Sequence, residues 1–436
     1  MKISGSPIPL VIGMLCLFLF PSCKEPENDL PEDVNQAWLR QNAVIIHSAD
    51  PDIEETNLYA LKDKIGEARI VGLGEANHGT TEMWGVRQKI SKYLVEEMGF
   101  TGILMEAGFP NSLYINDYIT RGEGTASGSH QLLGSWRYQE MRDLIDWMRE
   151  YNIQHSAEGK APALSFYGYD CAFHNWTEAT NLITRYLQSV DPGEAETIKT
   201  RLENYTAEDA RYVRDFFESR KDEYILNGSE KEYNTILRIA MNLEPNWTLW
   251  YNLRNDLPEL NIREEANIEN FNWIIENLLD NGKVIIWAHN VHVGNCILDD
   301  AGYQAQMLGS RLKEQYGDDY YVIASEFYSG RFYAWDRCDG HAFIFFVHSA
   351  ALPDESTYAY HFHNAGIPVF FLDLRHIDYT TETAKWLLGP MKFRFIGAEY
   401  CPLNDEYYYD TISLPANYDG LIFLDKISQT NPVSFN

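Results

Sequence analysis

Short apolar runs that each end abruptly in an ionisable residue constrain this chain most. Ile70-Val71-Gly72-Leu73 runs into Gly74-Glu75-Ala76-Asn77-His78-Gly79, and an amphipathic segment begins at once. Met83, Val86, Ile90 and Leu94 then recur at helical spacing up to Met98-Gly99, with Thr80 or Thr81 placed to cap the helix and Glu82 in its first turn. Gly102-Ile103-Leu104-Met105 repeats the pattern and ends in Glu106, and Ala163 to Tyr169 ends in Asp170. Lys283-Val284-Ile285-Ile286-Trp287 leads into Ala288-His289-Asn290-Val291-His292, and Tyr320 to Ser325 into Glu326. Continuously apolar strands alternating with helices predict an α/β fold, a mainly parallel central sheet flanked by helices. Ligands bind such sheets beyond the carboxyl ends of the strands, where these acids and imidazoles fall.

From about 176 to 280 the rhythm breaks into long, charged segments of helical period, which predicts a helical insertion. Helices are expected over Val34 to Ile46, Gln139 to Tyr151 and Tyr303 to Gln315. Ala342 to Val347, Pro368 to Leu372 and Phe393 to Ile396 read as further strands.

The N-terminus reads as a leader. Lys2 precedes the thirteen-residue apolar stretch Ile8 to Phe20, the length of a signal-peptide core and short of the ~20 residues that span a bilayer. Pro21-Ser22-Cys23 resembles a bacterial lipobox, which implies lipid attachment at Cys23 and anchoring in the cell envelope, at the outer membrane. Residues 1–22 are then a signal peptide, 23–33 an acidic tether, and 34–436 the catalytic domain that contains the helical insertion. Cys171, Cys296, Cys338 and Cys401 fit no zinc spacing and leave room for one or two disulfides that sequence does not pair. With 35 Lys and Arg against 64 Asp and Glu, the formal net charge is -29, which argues strongly against a nucleic-acid partner, since phosphate binding needs a basic face.

Each candidate residue also has a plain structural reading. Glu75, Glu106 and Asp170 can cap the helices that follow, and His78, His289 and His292 can be loop or packing histidines. Gly74 and Gly79 permit positive φ and close backbone approach around Glu75 and His78. Arg87 separates the readings, because it lies on the inward stripe of its helix, where an arginine needs an anion such as Glu75 or Glu106. There is no G-x-S-x-G elbow, no phosphate-binding loop and no H-E-x-x-H. Acid–base work on water by histidine and carboxylate remains. A divalent metal held by His78, His289, His292 and a carboxylate is an alternative, as is a surface lipoprotein that binds a ligand without turnover.

Taken in order, Gly74-Glu75-Ala76-Asn77-His78-Gly79, Arg87, Leu104-Met105-Glu106-Ala107-Gly108, Phe166-Tyr167-Gly168-Tyr169-Asp170, Trp287-Ala288-His289-Asn290-Val291-His292 and Met307-Leu308-Gly309-Ser310-Arg311-Leu312 resemble the erythromycin esterase family, over about residues 60 to 330. The resemblance implies a hydrolase that opens a macrolactone or other ester without a Ser nucleophile and without a cofactor or metal. His78 would be the general base, and Glu75, Arg87, Glu106, His289 and His292 its partners. Arg87 and the other histidines would stabilise an oxyanion or protonate the leaving alkoxide. Asp170 and the aromatic cluster Trp247, Trp250 and Tyr251 in the insertion are the candidate substrate contacts, since aromatic faces suit large apolar rings or sugars.

Overall fold

A computed structural model of the chain describes residues 34–433 apart from 134–135, 158–163, 173–175, 256–257, 301 and 339–344. The expected signal peptide, tether and Cys23 lie outside the described residues. Eight strands form the path of one large sheet: β1 (Val44–Ile45), β2 (Ile70–Glu75), β3 (Phe100–Gly108), β4 (Ser165–Asp170), β5 (Lys283–His289), β6 (Tyr320–Asp336), β7 (Val369–Asp373) and β8 (Gly420–Ile427). Their order is β1-β7-β8-β6-β2-β5-β3-β4. Every pairing from β8 through β4 is parallel, and β7 joins β8 and β1 antiparallel. The sheet is mainly parallel, as its unbroken apolar strands predict.

Alternate strand residues feed two cores. Val71 and Leu73, Ile285 and Trp287, and Tyr321 and Ile323 enter one with Met83, Val86, Ile90 and Leu94 of the helix Thr81–Met98. Ile70, Val284, Ile286, Tyr320 and Val322 enter the other, with Phe271, Ile274 and Ile275 of the helix Leu260–Leu278. Period-two alternation therefore assigns one face of the sheet to the helix that carries Arg87, and the other to the helical insertion. The insertion comprises the helices Thr177–Val190, Pro192–Leu202, Ala207–Glu218, Lys221–Asn227, Glu230–Arg254 and Leu260–Leu278.

Three sequence expectations are corrected. The helix expected over Tyr303 to Gln315 is a hairpin, Ile297–Asp300 with Tyr303–Gln306, followed by the shorter helix Leu308–Tyr316. The first helix stops at Asn42, and Val44–Ile45 pairs with β7 instead of continuing it. Strand β6 runs on to Asp336, so Glu326 sits inside a strand and not at its end. Beyond that point Phe345–Ser349 and Glu399–Tyr400 pair with its far half, and a disulfide joins Cys338 to Cys401. Cys171 and Cys296 are buried and free. Among the described residues no helix is long and apolar enough to cross a membrane.

Candidate active site

The turn after β2 is held by backbone contacts that its side chains complete. Asn77 accepts from the Gly79 N–H at 2.7 Å and donates to the Gly397 carbonyl at 2.9 Å. The N–H groups of Ile396 and Gly397 both reach the Ala76 carbonyl, at 3.0 and 3.1 Å. This clamp from the segment after Met391–Arg394 was not foreseen from sequence. Gly74 and Gly79 serve close approach and not positive φ. A Cβ at Gly74 would lie 2.4 Å from Asn290 Oδ1, and one at Gly79 2.2 Å from the Tyr333 carbonyl oxygen.

Glu75 is fully buried at the end of β2 and divides its two oxygens between two partners. Oε1 lies 2.7 Å from His78 Nδ1, and Oε2 accepts from Arg87 Nη1. Arg87 therefore takes Glu75 as its close anion, with Glu106 acting on it only at longer range. Its guanidinium is buried between aromatic rings, 4.4 Å from Trp287 and 5.5 Å from Trp84. Burial lowers the Arg87 pKa, and Glu75 and Glu106 oppose the shift. With Nδ1 committed to Glu75, His78 has only Nε2 free, and its side chain is 16% exposed against 1% for Glu75. Trp136 packs edge-on to its ring at 4.3 Å.

A second group forms at the ends of β3, β4 and β5. Glu106 accepts from the His289 backbone N–H at 3.1 Å and from Arg263 Nη2 at 2.7 Å. Arg263 also forks onto both oxygens of Asp170, each 3.2 Å from Nε. His292 lies between acids, with Nε2 3.4 Å from Glu106 and Nδ1 2.9 Å from Glu264. The Glu264 contact is an ion pair out of line for a hydrogen bond, and the other oxygen of Glu264 accepts from the Leu308 N–H at 2.6 Å. Burial pulls the His292 pKa down, but Glu106 and Glu264 outweigh it and the net shift is upward. Burial raises the Glu106 pKa, and His292, Arg263 and His78 together hold it well below the usual carboxylate range.

His289 joins the two groups. Its ring centroid is 5.7 Å from His78 and 6.5 Å from His292, and Nε2 is 3.4 Å from the Ala76 carbonyl. Burial, then the neighbouring His78 and His292, push its pKa down to about 3, so it is neutral at working pH. Asn290 pairs with both backbone groups of Ser325, at 2.7 and 3.0 Å, and this ties the turn to β6. Glu75, His78, Arg87, Glu106, Asp170, His289 and His292 thus come together, with Asp170 held by Arg263. Trp247, Trp250 and Tyr251 stand apart, lining an aromatic cavity. Arg263 and Glu264 were missed in the sequence, since charged residues on a charged helix carry no local signal. Among the described residues no group of three or more His, Cys, Asp or Glu is arranged to hold a metal ion.

A buried acid–histidine pair and two further imidazoles stand at the carboxyl edge of a parallel sheet, where such folds bind ligands. The erythromycin esterase profile matches residues 95–427, and the chain belongs to that family of hydrolases. The match starts after Glu75, His78 and Arg87, and extends further toward the C-terminus than the motifs suggest. The chain is 23% identical to erythromycin esterase type II of Escherichia coli over 333 residues, 68% of this chain and 77% of that one. It resembles a Bacillus cereus protein of solved crystal structure, with a TM-score of 0.77, 28% identity, and coverage of 93% of this chain and 100% of that one. The fold also matches a mutant of erythromycin esterase EreC in its open conformation, with a TM-score of 0.64, 14% identity, and coverage of 89% and 98%.

Proposed function

We propose that the protein hydrolyses a carboxylic ester or lactone, macrolactones among them, by activating water at His78 Nε2. The observation that carries this reading is the Glu75 contact at His78 Nδ1, with Glu75 itself fixed by Arg87. A carboxylate at Nδ1 places the ring proton there and leaves Nε2 as the nitrogen able to take a proton from water. The water oxygen attacks the carbonyl carbon, and the tetrahedral oxyanion develops beside His292, whose charged form Glu106 and Glu264 favour. Neutral His289 faces the Ala76 carbonyl with Nε2 and accepts from the Val291 N–H at Nδ1, which supports the turn that carries His78. The proton held at His78 Nε2 then passes to the leaving alkoxide, so the histidine ends as it began. Arg87 positions Glu75 and does not touch substrate.

Incubating the protein with erythromycin and a panel of lactones and simple esters, followed by mass spectrometry for the gain of one water, tests the reading. Hydrolysis is expected with the wild type and its loss with His78→Ala. Inertness toward the whole panel, or full activity in His78→Ala, would overturn it. For location, the leader supports a lipid anchor at Cys23 in the cell envelope, on the outer membrane, and the Cys338–Cys401 disulfide suits an oxidising compartment. Labelled palmitate is expected in wild type and absent in Cys23→Ala, and an unlabelled wild type would end the lipoprotein reading.

A further inference from the structure

Glu326 is buried inside β6, between β2 and β8, and the chemistry proposed above leaves it unused. Among the described residues neither of its oxygens pairs with a cation. Oε1 accepts from the Phe327 N–H at 2.8 Å and Oε2 from the Arg394 N–H at 3.0 Å. The Arg394 guanidinium turns elsewhere, from Nε to the Tyr409 hydroxyl at 2.9 Å and from Nη2 to the Ala351 carbonyl at 3.1 Å. Burial pushes the Glu326 pKa up to about 7, against the pull of Arg394 and the two N–H groups. A carboxylate so raised weakens the fold above about pH 4.3, where the unfolded chain ionises freely and the folded one does so at a cost. Stability alone would be served as well by a neutral side chain. What the carboxylate holds leads to His78. Two residues after Arg394, Ile396 and then Gly397 give their N–H groups to the Ala76 carbonyl, and the Gly397 carbonyl accepts from Asn77 Nδ2 at 2.9 Å and from the His78 N–H at 3.3 Å. Gly397 has a φ of +63°, and a Cβ there would stand 3.7 Å from His289 Nε2. Ser325, just before Glu326, donates its hydroxyl to the Gly74 carbonyl at 2.8 Å. Glu326 thus anchors one end of the segment 394–397, and the other end fixes the backbone of His78.

We propose that Glu326 positions His78: its carboxylate fixes the Arg394 N–H, and through it the Ile396–Gly397 clamp that sets the general base against Glu75. The inference rests on the ester-hydrolase reading above, which makes His78 the base. A glutamine offers one oxygen to two N–H donors, so Glu326→Gln turns an NH₂ toward one of them and leaves it unpaired.

Three readings of Glu326→Gln in the full chain test it. On an ester that the wild type hydrolyses, kcat is expected to fall about tenfold, the weight of one hydrogen bond, with KM within about twofold of the wild type. Hydrogen–deuterium exchange followed by mass spectrometry is expected to quicken at residues 76–80 and 394–397 and to stay unchanged over Phe100–Gly108 of β3. The thermal midpoint is expected within about 3 °C of the wild type, because the folded protein already accommodates a neutral group there. Unchanged kcat, or faster exchange at 394–397 that stops short of 76–80, would overturn the positioning role and leave ester hydrolysis standing. A lower midpoint with faster exchange throughout the chain, the mark of a residue that only stabilises, would overturn it as well. If no ester turns over, the hydrolase reading fails separately, and the exchange pattern alone decides whether Glu326 holds the turn at His78.

Discussion

Glu75→Gln separates the two duties of the buried carboxylate. Its side chain and that of Arg87 are each 1% exposed, so the change strands a guanidinium against a neutral amide. Breaking a buried pair from one side costs about 3–5 kcal/mol. The amide oxygen still accepts from Arg87, which puts the expected loss near the lower figure, about 3 kcal/mol. In catalysis, an amide can present its NH₂ to His78 Nδ1 and favour the wrong tautomer. Where an acid–histidine pair is disarmed in this way, kcat falls by up to about 10⁴-fold, and a loss of at least about 10²-fold is expected here. The companion Glu75→Gln/Arg87→Met removes both charges and leaves an apolar side chain between Trp84 and Trp287. It is expected to recover most of the stability, as replacing a buried pair by apolar groups often does, while kcat stays low. Urea unfolding and steady-state kinetics on the three proteins make the comparison. Near-wild-type kcat in Glu75→Gln, or activity that returns together with stability in the double variant, would refute the role given to Glu75.

The raised pKa of His292 sets a pH dependence. Because the folded value exceeds the unfolded ~6.5, the stabilisation is fully present below about pH 6.5 and is lost as pH rises through the folded value. Activity should fall on that same alkaline limb, and the pH profile of kcat/KM for His292→Gln should lack it. Glu106 has the opposite sign, so its contribution is present above about pH 4.3 and is lost as pH falls through its depressed value, which acid unfolding of Glu106→Gln against wild type would register. Reducing Cys338–Cys401, which are 63 residues apart, should cost about 4 kcal/mol by loop entropy, and thermal unfolding with and without dithiothreitol would show it. Treatment with a chelator, checked by metal analysis, should leave hydrolysis unchanged. Loss of activity restored by a divalent ion would reinstate the metal-dependent alternative.

The site was legible where chain direction alone decides it. An apolar strand that stops at an acid delivers that acid to the carboxyl edge, so Glu75, Glu106, Asp170 and His289 could be placed without any knowledge of strand order. Arg87 was legible for a second reason, since an arginine on an apolar stripe demands a buried anion. Arg263 offered no such signal. It lies 93 residues from Asp170 and 157 from Glu106, on a helix whose pattern fits a solvated face as well as a buried one. The clamp from Ile396 and Gly397 was invisible because backbone groups, common to every residue, make it. The false helix at Tyr303 arose from apolar spacing too short to separate a hairpin from a helical turn.

Arg263 and Glu264 change what the helical insertion is for. Without Arg263, Glu106 and Asp170 would lose the guanidinium they share, leaving Glu106 to His292 and His78 and Asp170 without that ion pair. With it, Glu106 stays ionised and, together with Glu264, raises the pKa of His292. The three imidazoles consequently stand in different surroundings. His292 is shifted toward its charged form, His289 is neutral, and His78 has Nδ1 on Glu75. Losing the insertion would therefore do more than open a substrate wall. It would take Arg263 from Glu106 and Glu264 from His292, weakening the bias toward the charged imidazole that the proposed mechanism sets beside the oxyanion. Arg263→Met should accordingly cost kcat more than it costs KM for a neutral ester, and a variant that raised KM alone would return the insertion to the role of a wall.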